Sequence, residues 1–213
     1  LFSTTYAASG YIFAYFMHIM WLDSIYMLPL VAIGLEKLVY ERKRIWYIVS
    51  LAYTFVVCYY TGYMVAGFCA LYFAYMFFAE KRSIKVNLKL AGAFALSSIT
   101  AGLLSCCTLL PTAFSQLENR AAINDVYTIR SVAQYLSRLF TGVFSTNEFE
   151  TGAPNVYFGM LVLLLLILRF MSWNSKMNLR KRICEIVFLL SFVLSFGIHK
   201  LDLVWHLLSA PHS

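Results

Sequence analysis

Polar chemistry is what this sequence has least of. It contains no Walker-type phosphate loop, no zinc-ligand spacing and no Gly-rich dinucleotide turn, so the common soluble nucleotide and zinc enzymes are excluded. No internal repeat is evident. The five cysteines (Cys58, Cys69, Cys106, Cys107 and Cys184) fall in or beside apolar stretches, which points to buried thiols and not to a disulfide framework. The apolar stretches carry essentially no ionisable residue in their central turns, and that counts against an ion-coupled transporter.

What remains is a rhythm of long apolar stretches and short basic clusters. With 61% hydrophobic residues and a mean hydropathy of +0.72, the chain lies far above a soluble domain. A helix needs roughly 20 apolar residues to cross a hydrocarbon core of about 30 Å. The sequence therefore predicts an all-α, polytopic transmembrane bundle. Spans are expected near 3–20, 24–40, 45–58, 61–78, 90–110, 156–171 and 183–198, with one longer extracytoplasmic loop over 112–155.

The clusters Glu41-Arg42-Lys43-Arg44, Lys81-Arg82 with Lys85 and Lys89, and Lys176 with Arg180-Lys181-Arg182 set the orientation. Lys and Arg flanking spans are retained in the cytoplasm, so all three are expected on that side. An even number of crossings must separate them, and stretch 45–78 therefore reads as a hairpin turning near Cys58 to Gly62. The alternative is one bent helix and six spans in all. The formal net charge of +7 then reflects inner loops that touch anionic lipid, and nucleic acid is not expected as a partner. The chain begins at Leu1 without a secretory n-region and is expected to be an internal piece of a larger multi-pass protein.

Residues that invite a mechanism lie on the predicted outer side. Asp23 sits at a membrane–water boundary, where it reads either as the N-cap of the helix that follows or as a partly desolvated carboxylate suited to act as a base. Trp21 beside it reads as an interfacial anchor or as a sugar platform. Asp202 and His206 are four apart and share a helix face, so they can orient one another for proton transfer. Two such ligands do not make a metal site, and no cofactor is expected. Arg120, Arg130 and Arg138 in the outer loop are solvated charges or phosphate ligands, because the guanidinium fork matches two oxygens at once. Asn155 and Tyr157 follow the turn Gly152-Ala153-Pro154, with Asn155 as a helix cap or part of the same lining. Stretch 128–144 has apolar residues near helical spacing and is expected along the interface. Glu36 and Lys37 read as snorkelling side chains.

Several segments together resemble one family. They are Met20-Trp21-Leu22-Asp23, Met27 to Glu36, Tyr60-Thr61-Gly62-Tyr63-Met64, Leu109-Leu110-Pro111-Thr112, Gly152 to Gly159, and Leu201-Asp202-Leu203-Val204-Trp205-His206. Their collinear order is similar to that of the bacterial membrane protein YfhO family, whose architecture resembles the GT-C glycosyltransferases. The resemblance implies a bacterial cell-membrane protein that moves a sugar from an undecaprenyl-phosphate carrier to a surface glycan such as teichoic acid. It implies membrane lipids, the lipid-linked donor and the glycan acceptor as partners. It carries Asp23, Asp202 and His206 over as lining of the active site. The essential acidic residue of GT-C enzymes lies in their first outer loop, which is expected to precede Leu1. Two other classes stay open: a transporter or flippase of lipid-linked sugar, and a non-catalytic membrane scaffold.

Overall fold

The computed structural model describes residues 6, 12, 19–118, 160–171 and 179–197 of the 213-residue chain. Among them every regular element is a helix: α1 (Ile19–Glu36, continued by a π turn over Lys37–Glu41), α2 (Ile45–Val57), α3 (Tyr59–Ala79), α4 (Ile84–Leu104), α5 (Cys106–Glu118), α6 (Met160–Met171) and α7 (Leu179–Gly197). Two of them, α3 and α4, are long and apolar enough to cross a membrane.

The hairpin expected within 45–78 is present, and a single bent helix is not. Cys58 has extended backbone angles (φ −151°, ψ 109°) and interrupts the helix after a run of β-branched and aromatic residues. Helix α3 then folds back on α2. A Cβ at Gly62 would lie 3.1 Å from the Phe55 Cα and the Thr54 carbonyl oxygen, so glycine is what allows this approach. Further along the pair, the Tyr47 hydroxyl meets the Cys69 thiol. Helices α1 and α2 form another antiparallel pair around the short link Arg42–Arg44, with Gly34 against the Tyr47 backbone. Helix α4 returns beside α3, where the Phe73 and Phe94 rings stack at 4.2 Å. Helix α7 lines the other side of α3 through Phe188, which touches Phe68, Tyr72 and Tyr75.

Small residues make these close approaches. The inward face of α4 is Leu90, Ala93, Ser97, Ala101 and then Ser105, while Leu88, Leu96, Ile99 and Leu103 point outward. Where lipid is as apolar as leucine, helices gain little from hiding apolar surface and associate instead by close packing of small faces.

Several predicted boundaries move. Helix α1 does not begin after Asp23 but runs through it, because Met20, Trp21 and Leu22 offer no glycine or proline to stop it. The span expected over 90–110 begins at Ile84 and ends at Leu104, so Lys85 and Lys89 lie within its first turns. Ser105 ends it: its Oγ lies 2.9 Å from the Ala52 and Ala101 carbonyls, and its own carbonyl accepts from Leu109 N–H at 3.0 Å. Pro111, expected as the terminator, sits inside α5. There it removes the N–H that would have bonded the Cys107 carbonyl, in the second turn of a helix whose first turn is already held by the Ser105 carbonyl. Residues 112–118 of the predicted outer loop are therefore helical. Arg180-Lys181-Arg182 likewise belong to α7 and not to a loop. Cys106 and Cys107 are exposed, in contrast to the buried thiols expected, because α5 continues beyond the break instead of ending in the core.

Pro29 inside α1 removes the N–H that would bond the Ile25 carbonyl. The Tyr6 hydroxyl donates to that carbonyl at 2.7 Å. Tyr6→Phe should therefore cost about 1–2 kcal/mol, from a lost interhelical bond and an orphaned acceptor. In a Pro29→Ala background, where the backbone N–H returns, the same change should cost much less. Thermal unfolding of the four variants in detergent measures the difference, and equal costs in both backgrounds would refute the pairing.

Candidate functional site

Among the described residues, antiparallel helices place charged side chains at two ends of the bundle. From the level where Gly34 meets Tyr47, Asp23 and Cys58 each lie eleven residues along antiparallel helices, or about 16 Å in the same direction. They mark one end. The basic segments gather at the other. The Arg180 Nε donates to the Phe78 carbonyl, which fixes the start of α7 beside the end of α3. The Arg82 guanidinium stands 5.7 Å from the Tyr40 ring, and Lys37 Nζ lies 4.9 Å from the Trp46 ring centre, beside the Arg42–Arg44 link.

At the Asp23 end the helix stops and their hydroxyls concentrate. Asp23 is exposed near the start of α1, and among the described residues it has no ion pair. Ser24, next to it, is fully buried, and its Oγ has no hydrogen-bond partner among the described residues. Thr61 Oγ1 donates to the Cys58 carbonyl at 3.4 Å and Thr108 Oγ1 to the Ser105 carbonyl at 2.9 Å, so these two serve the helix breaks. Asp23 cannot serve in that way. It stands inside a helix that already runs from Ile19, which removes the capping reading and leaves an exposed carboxylate at the end of the bundle. Trp21 beside it is half-buried. The other expected site residues, Asp202, His206, Arg120, Arg130, Arg138, Asn155 and Tyr157, lie outside the described residues, as does stretch 128–144.

The basic end holds a network that sequence reasoning missed. The Tyr72 hydroxyl donates to Glu36, the Tyr40 hydroxyl bonds Glu80, and Glu80 pairs with Arg82. Glu36 is thus held by a tyrosine from α3, not simply extended toward water. Arg169 pairs with Glu185 at 3.1 Å, joining α6 to α7. At the end of the π turn, the hydrogen bond from Lys43 holds the Glu41 carboxyl below the usual carboxylate range. Among Glu36, Tyr40, Tyr72, Glu80 and Arg82, the only bonded pair close in sequence is Glu80 with Arg82, two residues on. The tyrosine–carboxylate pairs, Glu36 with Tyr72 and Tyr40 with Glu80, are 36 and 40 positions apart, and sequence spacing does not join them. Among the described residues no three His, Cys, Asp or Glu side chains come together as a metal-ligand set.

Among curated proteins and solved structures, nothing matches the chain. A family model does, and it is the one described as bacterial membrane protein YfhO, matched over residues 1–213. The apolar α3 and α4, the small-residue packing between helices and the segregation of basic residues to one end all agree with that match. The chain belongs to the bacterial membrane protein YfhO family.

Proposed function

We propose that the chain is the membrane-embedded part of a glycosyltransferase that moves a sugar from an undecaprenyl-phosphate carrier to a surface glycan outside the cytoplasm. The observation that carries this reading is the exposed Asp23 carboxylate at the bundle end opposite the basic segments, in a chain of the YfhO family. With the basic end in the cytoplasm, by the preference of Lys and Arg for that side, Asp23 stands at the outer interface. About seven spans complete the arrangement.

In this reaction a carboxylate takes the proton of the acceptor hydroxyl as its oxygen bonds to the sugar's anomeric carbon. The bond from that carbon to the carrier phosphate breaks, and the phosphate departs with the electron pair. A base and cations for the departing phosphate are what the protein must supply. Asp23, or Asp202 oriented by His206, would be the base, with Arg120, Arg130 and Arg138 as phosphate ligands and Asn155 and Tyr157 in the lining. No cofactor is needed for a donor that carries its own leaving group.

The test uses the full-length parent in membranes with radiolabelled undecaprenyl-phosphate sugar, reading label in surface polymer. Asp23→Asn should lower transfer by about 100-fold or more, the usual scale for loss of a general base. Because Asp23 is exposed, the variant should keep its wild-type unfolding temperature. Full transfer by Asp23→Asn and by Asp202→Asn would move the base elsewhere in the protein. No transfer by folded wild-type protein with several sugars would overturn the enzymatic reading.

A further inference from the structure

At the basic end, α6 and α7 leave a groove against α3 that the transfer reaction does not use. Tyr75, Leu166, Arg169, Glu185, Phe188 and Leu189 line about 240 Å³ of space. The lining is graded along the bundle axis. Arg169 and Glu185 face one another at 3.1 Å near the basic end. Leu166 lies one turn before Arg169, and Phe188 and Leu189 lie one turn after Glu185 on the antiparallel helix. All three therefore sit about 5 Å deeper, toward the middle of the bundle. On the other side of Glu185, Arg180, Lys181 and Arg182 occupy the first turn of α7. The ion pair thus forms the polar mouth, the basic turn Arg180-Lys181-Arg182 lies one turn beyond it toward the basic end, and the floor is apolar and aromatic.

We propose that this groove holds the phosphate and an acyl chain of an anionic phospholipid from the leaflet at the basic end. The proposal rests on the reading that α3, α6 and α7 span the bilayer. The graded lining matches a molecule that is anionic at one end and apolar below it. A free phosphate ion would leave the floor empty, and a second copy of the chain would bring a like-charged basic turn against this end. Arginine recognises a phosphate through two parallel hydrogen bonds. Glu185 competes with the lipid for Arg169, so the ion pair acts as a latch that the phosphate displaces.

The full-length parent in detergent, titrated with phosphatidylglycerol or phosphatidylcholine and followed by native mass spectrometry, tests this. Phosphatidylglycerol should bind more tightly. Arg169→Gln should weaken it by about tenfold, the scale of one charge-assisted hydrogen bond, with phosphatidylcholine unchanged. Glu185→Gln should tighten it several-fold, as expected when a competing acceptor is removed. Misfolding cannot produce these opposite changes. Equal binding of the two lipids, an unaltered affinity in Arg169→Gln, or displacement by glycerol phosphate lacking acyl chains would overturn the proposal. The leaflet is read separately, from labelling of Lys81→Cys in intact cells by an impermeant maleimide, in a background with Cys106 and Cys107 replaced. Labelling from outside would overturn the orientation and the leaflet assigned here, while leaving the lipid affinities in detergent as a separate result.

Discussion

Replacing Gly34 with alanine is expected to destabilise the protein by about 1–3 kcal/mol, the usual range for overpacking a tight interface, or to prevent its folding. The added Cβ would lie 2.7 Å from the Tyr47 nitrogen, 2.8 Å from the Tyr47 Cα and 2.9 Å from the Trp46 carbonyl carbon. Non-bonded carbons rest at about 3.5–4.0 Å, so the overlap approaches one ångström. All three atoms belong to the backbone of α2, and no change of rotamer can move them. The helices must part instead, and separation there disturbs Val31, Leu35 and Leu38, which are fully buried in the same core. The control is built into the chain. Among the described residues, a Cβ at Gly92 or Gly102 meets nothing within 4 Å. Alanine at either of those helical positions should stabilise by about 0.5–1 kcal/mol, through reduced freedom of the unfolded chain. Thermal unfolding of the three variants in detergent should therefore show opposite signs. A harmless Gly34→Ala would mean that α1 and α2 do not approach as closely as described.

The difference between what the sequence reveals and what it hides follows the range of the forces involved. The hairpin was legible because stretch 45–78 is too long for one crossing, and a basic cluster stands at each of its ends. The break at Ser105 was not, since it depends on a hydroxyl meeting the Ala52 carbonyl 53 positions earlier. Pro111 was a misleading local signal for the same reason: a tertiary contact at Ser105 had already ended the helix nearly two turns before it. Asp23 resembles a cap in isolation, but its neighbours on the N-terminal side are good helix formers and the helix passes through. That correction leaves Asp23 more available for chemistry than capping would. The family was legible because its motifs are local and keep their order. The tyrosine–carboxylate pairs at the basic end were not, because each joins residues 36 or 40 positions apart in the chain.

Tyr47 offers the second large effect, and it separates shape from hydrogen bonding. It is the largest fully buried side chain among the described residues, at 1% exposure. Its ring lies 5.8 Å from Phe94, which in turn stacks on Phe73, so it closes an aromatic row linking α2, α4 and α3. Its hydroxyl is 3.0 Å from Ser98 Oγ and also meets Cys69. Tyr47→Ala should cost about 3–5 kcal/mol, because it opens a cavity among side chains that cannot collapse into it. Tyr47→Phe keeps the ring and should cost about 0.5–1.5 kcal/mol, the net worth of the lost hydrogen bond. The remainder is small because Ser98 sits on a helix, where its hydroxyl can turn back to the carbonyl one turn earlier. A cycle of Tyr47→Phe with Ser98→Ala should give a coupling near 0.6 kcal/mol, the average for interhelical bonds in membranes. If unfolding measurements give Phe a cost close to that of Ala, polar pairing and not packing holds these helices together. A Phe variant near wild type beside a crippled Ala variant would show that fit of the ring, together with the glycine opposite its backbone, sets the stability of this bundle.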